Sequence, residues 1–160
     1  MTSTPAEPDP LTRRFRRLLG GILLIGVLGT SAELILLEHW EEAWQFVPLV
    51  LLALGLVVVP LVVFRARRWN VRALRWLMVI YVLAGAVGIQ RHYHGNREFE
   101  LEMRPTLSGL DLLSRTLTGA TPALAPGALS FIGLVGLMLT YRHPRLTSDR
   151  PPPRDPGAPS

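Results

Sequence analysis

The hydrophobic positions of this chain fall into four runs, at about 18–37, 46–64, 71–90 and 123–141. Each is roughly 20 residues long, and a helix rising ~1.5 Å per residue carries such a run across the ~30 Å hydrocarbon core of a bilayer. Within the runs only Glu33, Arg72 and Arg75 are charged, and both arginines fall in the opening turns of the third run. A surface helix of a soluble domain sets an apolar stripe against a polar face, whereas these runs are apolar all round. The pattern predicts an all-α fold, a four-span transmembrane bundle running up-down-up-down over residues 15–142.

The segment between the third and fourth runs, 91–122, is patterned rather than linker-like. Strict alternation in Glu98-Phe99-Glu100-Leu101-Glu102-Met103 predicts an extended stretch with Phe99, Leu101 and Met103 on one side. Ser108 with Asp111 three residues later has the spacing of a capping box. It predicts a short helix ending at Gly119, with Leu110, Leu113 and Leu117 on one face. The expectation is a partly helical outer loop that caps the bundle or binds a partner. Residues 1–14 and 143–160, rich in Pro, Ser, Asp and Arg, are expected to be disordered tails.

Charge adds orientation. All 17 basic residues are arginine, and 13 of them flank the N-terminus, the second connection and the C-terminus. Only Arg91, Arg97, Arg104 and Arg115 lie on the other side. The positive-inside rule therefore places both termini in the cytoplasm. The net charge of +5 averages two oppositely charged faces, so it argues for anionic headgroups and against nucleic acid as a partner. Trp40, Trp44, Trp69, Trp76, Tyr93 and Tyr141 stand near the span ends, at the level where amphipathic rings settle. A first run led by Arg13–Arg17 and followed by Thr30-Ser31-Ala32 has the outline of a signal peptide, but apolar residues continue past that point, so an uncleaved anchor is expected. Abundant Arg without Lys suggests a GC-rich bacterial genome, and hence the inner membrane.

The chain has no cysteine, which excludes disulfides and thiolate chemistry. Gly127, Ser130, Gly133 and Gly136 form a narrow packing face on the last run, and Pro60 is expected to kink the second. Glu33 is the one carboxylate inside a run, about one turn from its outer end. An intramembrane acid marks a functional site by default, and Gln90, Arg91 and Ser130 are the expected partners at its depth. Glu33 is therefore read as a proton or cation site, or as one half of a structural pair with Arg91 or Gln90. His39, His92 and His94 share the outer side. In an extended chain His92 and His94 point the same way, and with His39 and Glu42 they form a set suited to Zn or Cu. Two histidines on different helices also suit a b-type haem. The alternative is that no cofactor binds at all.

Ala32-Glu33 in the first of four short helices resembles the small multidrug-resistance exporters, a likeness that implies a proton- and cation-binding carboxylate at Glu33. Here the Glu lies nearer the outer surface, and the long outer loop departs from that family's short loops. The Gly-rich motifs of fluoride channels and the Cys motifs of thiol-quinone proteins are missing. The expected function is a non-catalytic accessory or scaffold subunit of a larger membrane complex or homo-oligomer, acting through its outer face. A Glu33 transporter and a His-based metal or haem protein are the alternatives.

Overall fold

The computed structural model describes residues 9–119 and 121–147. Of the expected tails, 1–14 and 143–160, residues 1–8 and 148–160 lie outside the described residues, whereas 10–14 and 144–147 are helical rather than disordered. The chain is helical and, among the described residues, has no strand. Its elements are α1 (Pro10–Leu36), a 3₁₀ turn (Ala43–Gln45), α2 (Phe46–Phe64), α3 (Arg68–Met103), α4 (Gly109–Thr118), α5 (Gly127–Thr140) and α6 (Pro144–Thr147). Three segments, α1, α2 with its preceding turn, and α3, are long and apolar enough to cross a membrane. The fourth apolar helix, α5, has 14 residues.

The bounds differ from expectation for local reasons. Helix α1 takes in Arg13–Arg17 because Pro10, at its first turn, needs no N–H partner there. Helix α5 is shorter than 123–141 because Pro122 and Pro126 hold residues 123–126 in turns. Helix α3 does not stop at Gln90 but continues for 13 residues, to Met103. The alternating 98–103 stretch is therefore helical, not extended. It has no strand to pair with, Glu, Leu and Met are good helix formers, and extending a formed helix is cheap. Glu100 pairs with Arg104 one turn on, at 2.8 Å. Ser108 is the N-cap residue of α4, but its side chain makes no capping bond. Helix α2 runs unbroken through Pro60.

Helix α3 is the spine, packing against α2, α4 and α5, while α1 packs on α2 and α5. The core is built from Leu23, Val27, Leu52, Val59, Leu74, Met78, Tyr81 and Ile132. Outward positions are equally apolar: Ile22, Ile25, Val50, Val57, Leu83, Phe131 and Leu134 are all exposed. A helix apolar on both sides suits a bilayer, where lipid tails solvate the outer face. In lipid the helices gain little from hydrophobicity and must pack closely. At the α3–α5 contact a Cβ on Gly133 would stand 2.7 Å from the Met78 carbonyl, and one on Gly85 would stand 2.8 Å from the Pro126 carbonyl. Gly136 faces Met78, and Gly127 faces Ile89 more loosely, at 3.5 Å. Gly55 similarly leaves room for the Tyr81 hydroxyl, which donates to the Leu51 carbonyl at 2.8 Å.

Arginines close one end of the bundle. Arg16 donates to the carbonyls of Leu139 (2.6 Å), Tyr141 (3.1 Å) and Arg142 (3.2 Å), and Arg75 donates to Thr140 (3.3 Å). The last carbonyls of a helix have no partner within it and carry its negative dipole, so guanidinium groups satisfy both needs. His143 is buried beside them, and its Nδ1 accepts the Arg145 backbone N–H at 3.2 Å. Burial, then Arg16 and Arg145, lower its pKa to about 4. The unfolded chain takes up this proton near pH 6.5, so the stability tied to neutral His143 is intact above that pH and lost as pH falls toward 4. Hydrogen exchange in residues 141–146 is expected to accelerate across that window, and His143→Ala to flatten the dependence. An unchanged profile in the variant would show that another group titrates.

Candidate functional site

The other end of the bundle carries the polar chemistry, and the end of α1 builds it. The His39 N–H donates to the Leu34 carbonyl at 3.0 Å and the Glu38 N–H to that of Ile35 at 3.1 Å. This is the paired bonding of a Schellman C-cap. The motif needs a left-handed residue at Glu38, whose φ is +50°. Glycine usually fills that place, and a side chain there costs roughly 1–2 kcal/mol. The chain reverses at this left-handed residue, and the His39 ring stands 6.5 Å from that of His92 on α3, centroid to centroid. Both rings are half-buried, and His92 Nδ1 is buried with no hydrogen-bond partner among the described residues. Burial, then the neighbouring His92, lower the pKa of His39. One residue back along α3, the Arg91 guanidinium lies over the Trp44 ring, 4.5 Å from its centroid.

The expected four-ligand metal set is not assembled. Because α3 is helical through this stretch, successive residues turn by ~100° and His94 points about 200° away from His92. His94 packs edge-on against Tyr93 instead. Glu42 caps the 3₁₀ turn, its backbone N–H donating to Gln45 Oε1 at 3.0 Å. Among the described residues no three of His, Asp and Glu come close enough to hold a metal ion.

The expected Glu33 cluster is not assembled either. Glu33 is exposed on α1, as is Gly29 one turn before it, so this face does not turn into the bundle. Arg91 is engaged with Trp44, and the Ser130 hydroxyl donates to the Val82 carbonyl at 2.9 Å. Gln90 is exposed. The packed side of α1 is set by Gly20, Leu23 and Val27.

Asn96 organises the region beyond the histidines, and the sequence pattern did not single it out. It is buried, and its amide donates to the carbonyls of Thr116 (2.9 Å) and Thr121 (2.6 Å). Its carbonyl accepts the Thr121 hydroxyl at 3.0 Å. Gly119 packs on the same amide, leaving no room for a Cβ. One side chain on α3 thus fastens both the end of α4 and the chain that leads to α5. The available signal was an Asn, a weak helix former, beside Gly95 in a stretch otherwise suited to helix. The resulting two-helix head leaves Leu110 81% exposed, with Phe99, Met103 and Leu113 also uncovered.

Comparisons with models of protein families, with curated proteins and with solved structures find no match to this chain. The fold and site stand on their own geometry. They define a helical protein with membrane-length apolar helices and a polar, histidine-bearing end.

Proposed function

We propose that this chain is a small multi-pass protein of a bacterial inner membrane, a non-catalytic accessory or scaffold subunit that acts through an extracytoplasmic head. In this reading α1, α2, α3 and α5 are four spans running up-down-up-down, with both termini in the cytoplasm. The arginine distribution supports that orientation. The observation that carries the function is the head itself. Helix α3 runs ~20 Å past Gln90 at the helical rise. Helix α4 is fastened to it through Asn96, and the apolar side chains of this hairpin remain uncovered. A rigid arm with uncovered Leu, Phe and Met suits protein–protein docking, since aromatic residues and Met are enriched in the cores of such interfaces.

Migration after mild solubilisation from cells at native expression tests this. The wild-type chain is expected to run with a larger membrane complex, and Leu110→Arg is expected to release it as a free subunit. Leu110 is exposed, so the change leaves the fold intact. A wild-type chain that runs alone at native expression would overturn the reading. A reporter active only in the periplasm should work when fused after Gly119 and stay silent after Arg68; the reverse would overturn the orientation.

A further inference from the structure

We propose that His39 and His92 form a two-coordinate site for a soft monovalent cation, Cu(I) or its mimic Ag(I), where the turn after α1 meets α3. The geometry suits an ion held between two rings. A coordinating imidazole nitrogen sits ~2.0 Å from a metal and ~1.1 Å from its own ring centroid. Two rings on opposite sides of one ion therefore stand ~6.2 Å apart, and two at a tetrahedral angle only ~5.1 Å apart. The observed separation is 6.5 Å, close to the linear arrangement.

The donor count agrees. Zn(II) takes four ligands, and Cu(II) a tetragonal set of N and O donors. Among the described residues no three of His, Asp and Glu come together here. A closed-shell monovalent ion is content with two ligands in line, and imidazole is an accepted ligand for copper.

One observation asks for a ligand directly. His92 Nδ1 is buried and has no hydrogen-bond partner among the described residues. Buried polar atoms are nearly always partnered, by protein, water or ion. On the facing side, the strained Glu38 backbone holds His39 in place before any ion arrives. Strain of this kind is tolerated where the surrounding structure fixes it, and it clusters at binding sites.

The test uses the full chain in detergent, purified through a tag without histidine. Cu(I) is presented anaerobically in competition with a chromophoric chelator, Ag(I) by calorimetry, and Zn(II) as the control. The expected result is one equivalent of Cu(I) or Ag(I), bound at least 10-fold more weakly by His39→Ala and by His92→Ala and unchanged by His94→Ala. X-ray absorption of the Cu(I)-loaded wild type should show two nitrogen neighbours and no sulfur, which tests the site without any variant. Sulfur in that shell, equal affinity in His92→Ala, tighter binding of Zn(II), or a Soret band in the purified protein would each overturn the assignment.

Discussion

Replacing Gly133 with leucine is expected to drive α5 away from α3 and to lower the stability of the bundle by about 3 kcal/mol. The reason is backbone, not side chain. The first added carbon would meet the Met78 carbonyl at 2.7 Å and the Val82 nitrogen at 3.0 Å, and neither can swing aside as a side-chain tip can. Gly85 stands in the same position on the opposing helix, against the Ser130 nitrogen at 2.7 Å and the Pro126 carbonyl at 2.8 Å. Gly85→Leu should therefore cost a similar amount. The two changes share one interface, so the double variant should lose less than the sum. Gly21 and Gly29 on α1 provide the control, because a Cβ there meets nothing within 4 Å. Alanine at either should be neutral or slightly stabilising, since glycine inside a helix costs roughly 0.5–1 kcal/mol relative to alanine. Reversible unfolding in mixed detergent measures all five variants against the wild type. Equal losses at Gly29 and Gly133 would show that the α3–α5 contact has no special role.

Asn96→Leu should free the head without loosening the spans. The substitution strands the Thr116 and Thr121 carbonyls and the Thr121 hydroxyl, all of which now bond to one amide. The buried Thr116 carbonyl left without a partner costs about 1–3 kcal/mol, whereas the exposed Thr121 groups can turn to water. The interface that remains between α3 and α4 is small, because Thr116 is the one fully buried residue of α4. Hydrogen exchange in residues 109–118 is expected to rise at least 10-fold, with α2 and α5 unchanged. Asn96→Asp separates donor from acceptor. Its carboxylate still accepts from Thr121 but donates to neither carbonyl, so it should behave nearly as badly as leucine. If exchange rises equally throughout the protein, Asn96 supports the whole bundle rather than the head. In the accessory-subunit reading, Asn96→Leu also weakens association, because it loosens the arm that presents Leu110 and Leu113.

The parts of the fold that were legible in the sequence depend on composition alone. Helix α2 occupies the 46–64 run as expected, because almost every residue from Phe46 to Phe64 is apolar and a charged residue, Arg65, follows. The short helix after Ser108 was equally plain, marked by a cap residue before it and Gly119 after it. The candidate site was far less legible. His39, Arg91 and His92 were singled out by type, but the expected pairing of His92 with His94 assumed an extended chain where α3 is helical, and the same misreading was made at 98–103. Period-two alternation was taken there for a strand, although that signal has meaning only where a partner strand exists. With no partner, local propensity and the preceding helix decided the conformation, and His94 turned away from His92.

By itself the sequence determined the number of apolar runs and the asymmetry of the arginines. These follow from transfer free energy and charge, which add along the chain without reference to contacts. The tertiary structure alone decided which way each helix faces. A helix that is apolar all round carries no stripe to orient it. Rotation is then set by close packing: Gly85 and Gly133 bring α3 against α5, and Leu23 and Val27 turn inward while Glu33 remains outside. The same rotation places His92 opposite His39 and Asn96 beneath the end of α4. Contacts between residues so distant in sequence arise from the fit of backbones, and no local pattern records that fit.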